Sequence, residues 1–280
     1  MSQAALPLKQ RGWGQTMRRD AWWVQPLAVF LGLGAFLVYA NFRVFEGAHY
    51  YSGHSERNAT TNYLTPFYSP LLFDVPGARP SGHAWWSERP ALLAWLPSWV
   101  SPAALILIFP AGFRLTCYYY RGAYYKAFWA DPPSCAVGEP RKGYRGENSL
   151  PLILQNVHRY FLLFAVIFLF ILSYDVWHGL WFRDGQGGYR FGLGLGTLIL
   201  ATNVVLLTGY TFGCHSMRHL MGGGRDCVTN APLGPKFYDC VSCLNRRHML
   251  WAWLSLCSVA FSDVYVRMLA AGVWVDWSIF

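Results

Sequence analysis

Long apolar runs, each of bilayer-spanning length and each bounded by basic residues, constrain this chain more than any motif in it. A hydrocarbon core about 30 Å thick asks for about 20 apolar residues in a helix rising about 1.5 Å per residue. Five segments meet that demand, near residues 24–44, 100–120, 151–177, 192–213 and 250–272. Hydrocarbon offers no water to backbone N–H and C=O groups, so such segments are helices. The expected fold class is all-α: a polytopic transmembrane helical bundle, one membrane domain over residues 1–280, in contact with membrane lipid. Composition agrees, with 13% charged residues against roughly 25% in soluble chains. Pro102 and Pro151 stand where helix starts tolerate proline. The small residues of "GLGLGTL", Gly192 to Leu198, suit close helix approach. The first run is too long for a signal peptide and lacks a small-residue cleavage site, so Ala21–Phe42 reads as a retained span.

Basic residues set the orientation. Lys9, Arg11, Arg18 and Arg19 precede the first run. Arg114, Arg121, Lys126, Arg141, Lys142 and Arg145 follow the second, and Arg218, Arg225, Lys236, Arg246 and Arg247 follow the fourth. The first loop sets three Arg (Arg57, Arg79 and Arg89) against Glu46, Glu56, Asp74 and Glu88, and the third holds only Arg183 and Arg190. The positive-inside rule puts the N-terminus and loops two and four in the cytoplasm. The outer first loop, 45–98, reads as an interfacial cap rich in Tyr, Pro and Trp. A nucleic-acid binder gathers its basic residues on one folded face; here the net charge of +9 is spread between spans, so no nucleic-acid partner is expected.

This topology sorts the ligand-type side chains. Six of seven cysteines (Cys117, Cys135, Cys214, Cys227, Cys240 and Cys243) fall on the cytoplasmic half, where thiols stay reduced. Cys117, Cys214 and His158 lie about 9–15 Å towards the cytoplasm from mid-bilayer at helical rise. His215 and His219, one turn apart, share a helix face. Cys135 sits in a cytoplasmic loop able to fold over that level. An ionisable group such as His158 inside a span is by default a functional candidate. Cys257 reads as a packing thiol, His49, His54 and His83 as surface groups, His178 as an interfacial anchor, and His248 as facing headgroups or functional. "CVSC", Cys240 to Cys243, lacks the second CxxC of a zinc knuckle and reads as solvated loop.

Three blocks, "FRLTCYYYRGAYYKAFWADPPSCAVGEPR", "LILQNVHRYFLLFA" and "YTFGCHSMRHL", resemble the cytochrome b-like membrane-anchor subunit of an actinobacterial class of succinate dehydrogenase, respiratory complex II. "RHMLWAWLSLCSVAFSDVYVRMLAAGVWVDW" is similar to its last span. The resemblance implies five helices in a bacterial plasma membrane, flavoprotein and iron–sulfur partner subunits docked on basic loops two and four, and electrons passing through this subunit to quinone. Many complex II anchors hold b haem through one His from each of two helices, a role open to His158 with His215 or His219. The thiols of Cys117, Cys135 and Cys214 favour a Rieske-type [2Fe–2S] cluster with two Cys on one iron and two His on the other. The metal candidates are thus Cys117, Cys135, Cys214, His158, His215 and His219, with no unique choice of four. Tyr120, Arg121, Arg159 and Tyr160 offer donors to quinone. A transporter or channel is the rival class, resting on Asp263 and Arg267 in the last span, which one turn apart also suit an ion pair. A thiol–disulfide enzyme rests on CVSC alone.

Overall fold

The computed structural model describes residues 12–140, 150, 152–223 and 235–280. The chain divides into two compact units, residues 1–38 with 115–156, and residues 39–114 with 157–280. Among the described residues, four helices are long and apolar enough to cross a membrane: α1 (Val24–Glu46), α5 (His158–His178, preceded by a 3-10 turn over Leu152–Val157), α6 (Leu195–Phe212) and α9 (His248–Ala270). They fall on four of the five expected runs with boundaries shifted by a few residues, and are candidate spans by length and composition.

The run expected over 100–120 is not one helix. It forms α2 (Pro102–Ile106), α3 (Ile108–Leu115) and α4 (Tyr118–Ala123), continued by a π turn over Tyr124–Phe128. The reason for the first break, at Leu107, is Pro110. Its ring collides with the carbonyl four residues back, at Ile106, and it offers no N–H to close that turn. Cys117 then leaves helical geometry at ψ 133°. Apolar length alone does not reveal such breaks.

Two further departures are local. An antiparallel ribbon, β1 (Trp181–Arg183) on β2 (Tyr189–Phe191), adds a strand pair to an otherwise helical fold. "CVSC" is helical rather than loop, within α8 (Pro235–Arg246). Both thiols are exposed there. Cys227 and Gly224 lie outside the described residues.

In the first unit, Arg18 donates to Ser134 Oγ at 2.8 Å and to the Cys135 carbonyl at 3.0 Å. The Gly14 amide donates to the Gly138 carbonyl, and the Gly138 amide to that of Gln15. Phe30 packs on Phe128.

In the second unit α6 packs along α9 and beside α5. The chain between α1 and α2 folds over the ends of α5, α6 and α9. Tyr50, Tyr51, Tyr63 and Tyr68 are fully buried in it, so this part of the segment is packed as a cap. Tyr63, Phe182, Leu200, Tyr265, Val266 and Leu269 make one core. Asp276 in the C-terminal segment accepts from Tyr63 (2.7 Å), Tyr265 (2.8 Å) and the Gly196 amide (2.9 Å). Gly196 faces Tyr63 so closely that a Cβ there would strike its ring, which accounts for a small residue in that part of "GLGLGTL".

A charge network ties the end of α1 to this end of the unit. Arg267 Nε donates to Asp263 Oδ2 at 2.7 Å, and its Nη1 reaches Glu46 at 2.8 Å and the Ala48 carbonyl at 2.6 Å. Tyr39 donates to the same Asp263 oxygen at 2.6 Å. Arg267 and Asp263 are both fully buried. The pair thus serves as a structural clamp, which removes its support for a transport path. Cutting one member strands the other, at a cost of about 3–5 kcal/mol. Arg267→Leu should therefore lower the thermal unfolding midpoint of the purified protein far more than the double exchange Arg267→Leu with Asp263→Leu. Equal losses would contradict the clamp.

His83 is not a surface group. Its Nε2 lies 2.8 Å from Asn62 Oδ1, which also accepts from Tyr51. Burial, then the neighbouring His178 and Arg183, push its pKa down to about 4. The native cap holds it neutral while an unfolded histidine protonates near 6.5, so stability falls as pH drops from about 6.5 and levels off below about 4, by at most about 1.4 kcal/mol per unit. Protection factors over residues 50–86, exchange corrected for its intrinsic pH dependence, should fall as pH drops across that window, and His83→Gln should flatten the response.

Candidate functional site

The end of the second unit away from the cap gathers the ligand-type residues of α5, α6 and α9. α5 begins at His158, α6 stops at Phe212, and Gly213 turns the chain into α7 (His215–Met221). The stop is built from small residues. A Cβ on Gly213 would meet the Gly209 carbonyl at 2.7 Å, and Asn245 of α8 donates to the Gly213 carbonyl at 2.8 Å. Cys214 therefore sits between helices as the N-cap of α7, its sulfur accepting from Ser216 N at 3.3 Å.

His158 and Cys214 meet here: His158 Nε2 lies 2.9 Å from Cys214 Sγ, and both are buried. Rings close over them. Phe113 stacks on the His158 imidazole at 4.5 Å and 10°, and stands edge-on to Tyr210 at 5.5 Å. Tyr210 stacks on His248 at 5.0 Å and 14°. Arg114 lies over the Tyr210 ring at 4.6 Å and donates to Ser255 Oγ at 2.9 Å and to the Ala252 carbonyl at 3.3 Å.

Of the other expected ligands, His215 and His219 are exposed on α7. Their shared face is real, but it is open, whereas the His158–Cys214 pair is buried. Cys117 is buried and Cys135 exposed, both in the first unit. Among the described residues, no three His, Cys, Asp or Glu side chains are arranged to hold a metal ion. Of the quinone candidates, Tyr120 is buried, Arg121 lies over Tyr118 and Tyr125 at 5.5 Å each, and Arg159 lies over the exposed Tyr160 at 5.1 Å.

Four members of this site were missed or left open by the sequence. Arg114 counts there as a loop charge, yet it projects from α3 onto α9. Phe113 and Tyr210 carry no signal, since aromatic residues are plentiful throughout the runs. His248, with even claims to headgroups, turns inward onto Tyr210. The signal available was Arg114 itself, an arginine within an apolar run.

The class of protein so defined is a membrane helical bundle that buries an imidazole–thiol pair behind aromatic rings. The family model "Actinobacterial succinate dehydrogenase subunit SdhC" matches residues 24–272. A chain of the solved Mycobacterium smegmatis Sdh1 complex in the apo form is similar at 40% identity and TM-score 0.81, covering 98% of this chain and 97% of that one. No curated protein matches. The chain belongs to the actinobacterial succinate dehydrogenase SdhC family, and is thus a membrane subunit of that oxidoreductase.

Gly209 brings α6 against α9, and a Cβ there would stand 2.7 Å from Trp251. Gly209→Ala should cost about 1–3 kcal/mol by overpacking, read as a lower unfolding midpoint, whereas Gly122→Ala, in open space within α4, should not lower it and by helix propensity should raise it slightly.

Proposed function

We propose that this chain is the membrane anchor and electron-transfer subunit of a succinate:quinone oxidoreductase, passing electrons from an iron–sulfur partner through a membrane-embedded redox centre to quinone. The observation that carries this is the buried His158–Cys214 pair. An imidazole nitrogen and a thiol sulfur, from separate helices, stand side by side. These are the two donor types of a Rieske-type [2Fe–2S] set, one of each. The pair fits half of such a set. His215, His219, Cys117 and Cys135 are the proposed remaining donors, and His248 joins them because it lies on the same ring stack. When bound, such a centre exchanges single electrons, at a potential that imidazole ligation raises above that of an all-thiolate cluster. Phe113 and Tyr210 shield His158 from water, and Asn245 fixes the turn that presents Cys214.

A b haem is the alternative in the same complex. It is favoured by the presence of His158 and His248 on two different helices. Tyr120, Arg121, Arg159 and Tyr160 are the proposed donors to quinone. The flavoprotein and iron–sulfur subunits are the proposed partners, as subunits of a complex like that of M. smegmatis, docked on the basic cytoplasmic loops. This assigns the broken segment α2–α4 as a fifth crossing, an N-terminus in the cytoplasm, and a bacterial plasma membrane.

EPR and optical spectra of the complex purified with its partners test this. A low average g value on reduction reports the cluster, and sharp alpha and Soret bands report haem. Neither signal beyond what the partners contribute would sink the redox-centre reading. His158→Ala and Cys214→Ser should each erase the signal and abolish quinone reduction, while succinate oxidation with an artificial dye continues.

A further inference from the structure

Residues 90–113 carry no charged side chain. The later part of that stretch forms α2 and most of α3. The earlier part, Pro90 to Val100, belongs to the segment between α1 and α2, yet its side chains are not packed as the cap's tyrosines are. Leu92 is 83% exposed, Trp95 76% and Trp99 65%. Single apolar residues on a surface are ordinary, but a continuous run of them marks an interaction site.

The backbone of this run is organised the opposite way. The amides of Leu93, Ala94, Leu96 and Val100 donate to the carbonyls of Pro90, Ala91, Leu93 and Pro97 at 2.8, 3.0, 3.1 and 3.1 Å. Pro90 and Pro97 have no amide to satisfy. The Pro97 carbonyl also accepts from both terminal nitrogens of Arg89, at 3.3 Å each. Successive turns thus close polar backbone groups on one another and leave apolar side chains outside. Water makes no such demand, whereas an apolar medium does.

Both ends of the run are pinned. The Trp85 and Trp86 amides donate to the carbonyls of Leu71 and Leu72 at 2.9 Å each. Trp99 packs on Phe45 at the end of α1 with ring centroids 5.8 Å apart. Ser101 donates to the Val44 carbonyl and caps α2 by accepting from the Ala104 amide. The exposed run therefore lies level with the end of a candidate span and beside the start of α2. Trp177, at the capped end of α5, and Trp277, in the C-terminal segment, are exposed at that same end of the unit. Tryptophan, with an apolar body and one N–H, is enriched where bilayer meets water.

We propose that residues 90–100 are an interfacial anchor, inserted among the headgroups and upper acyl chains of bilayer phospholipid, which holds the cap to the membrane surface. Phospholipid is the partner because the run passes into α2 with no charged boundary and sits at the level where a span ends. The exposed Glu88 marks where the chain returns to water. The anchor does not depend on the electron-transfer reading, since it involves neither the His158–Cys214 pair nor quinone.

Fluorescence of the complex with its partner subunits, in nanodiscs of phosphatidylcholine and phosphatidylglycerol, tests this. Leu92→dansylalanine replaces one exposed apolar side chain by another that reports its medium. Gln186→dansylalanine, in the polar turn between β1 and β2, is the aqueous reference. The probe at residue 92 should emit to the blue of that reference. It should lose emission when the acyl chains are brominated and keep it when iodide is added, whereas the reference should lose emission to iodide. Iodide acting as strongly at residue 92 as at residue 186 puts the run in solvent and overturns the proposal. Loss to neither quencher means that protein, a second copy or a partner subunit, covers the run, and overturns it equally.

Discussion

Arg267 has no water to turn to. It lies in an apolar helix and is fully buried, so each donor of its guanidinium must end on protein. Asp263, Glu46 and the carbonyls of Ala48 and Arg43 supply those ends. Because Tyr39 and Arg267 share one Asp263 oxygen, this cation fixes the end of α1, the start of the cap and the last turns of α9 together. The cap can then close over the helix ends, with its tyrosines packed inward and Asp276 bound to Tyr63 and Tyr265.

The opposite end of the same unit uses a different device. There the chain is made to turn by small residues and to present soft donors rather than charges. Gly213 ends α6 because a side chain has no room, and Asn245 holds the turn from α8. Cys214 thus reaches His158 from a helix cap instead of a helix face. Gly209, against Trp251, keeps α6 and α9 close enough for Tyr210 and His248 to stack. One end of the unit is rigid by ionic satisfaction, the other by close approach and aromatic stacking.

Much of this was legible in the sequence, and the illegible part has physical causes. Apolar length announces a membrane helix because hydrocarbon thickness fixes it, so α1, α5, α6 and α9 were readable. The break in the second run follows from one ring at Pro110, which average hydropathy does not register. The level of His158 and Cys214 was readable from helical rise, and their meeting follows from it. Rotation about a helix axis was not readable once a helix stopped. The shared face of His215 and His219 followed from spacing, but the turn at Gly213 leaves that face open while Cys214 is buried. Arg114 was misread and His248 left open because residues at helix ends look the same in sequence whether they turn outward or inward.

The joint at Asp263 and Arg267 also dictates an order of assembly. Tyr39 pairs with a residue 224 positions later, and Glu46 with one 221 later. During synthesis α1 enters the membrane long before its partners on α9 exist. Contacts of such separation form late and slowly. The charge joint between α1 and α9 is therefore among the last contacts to close, and until α9 arrives the side chains of Arg43 and Glu46 have chiefly each other.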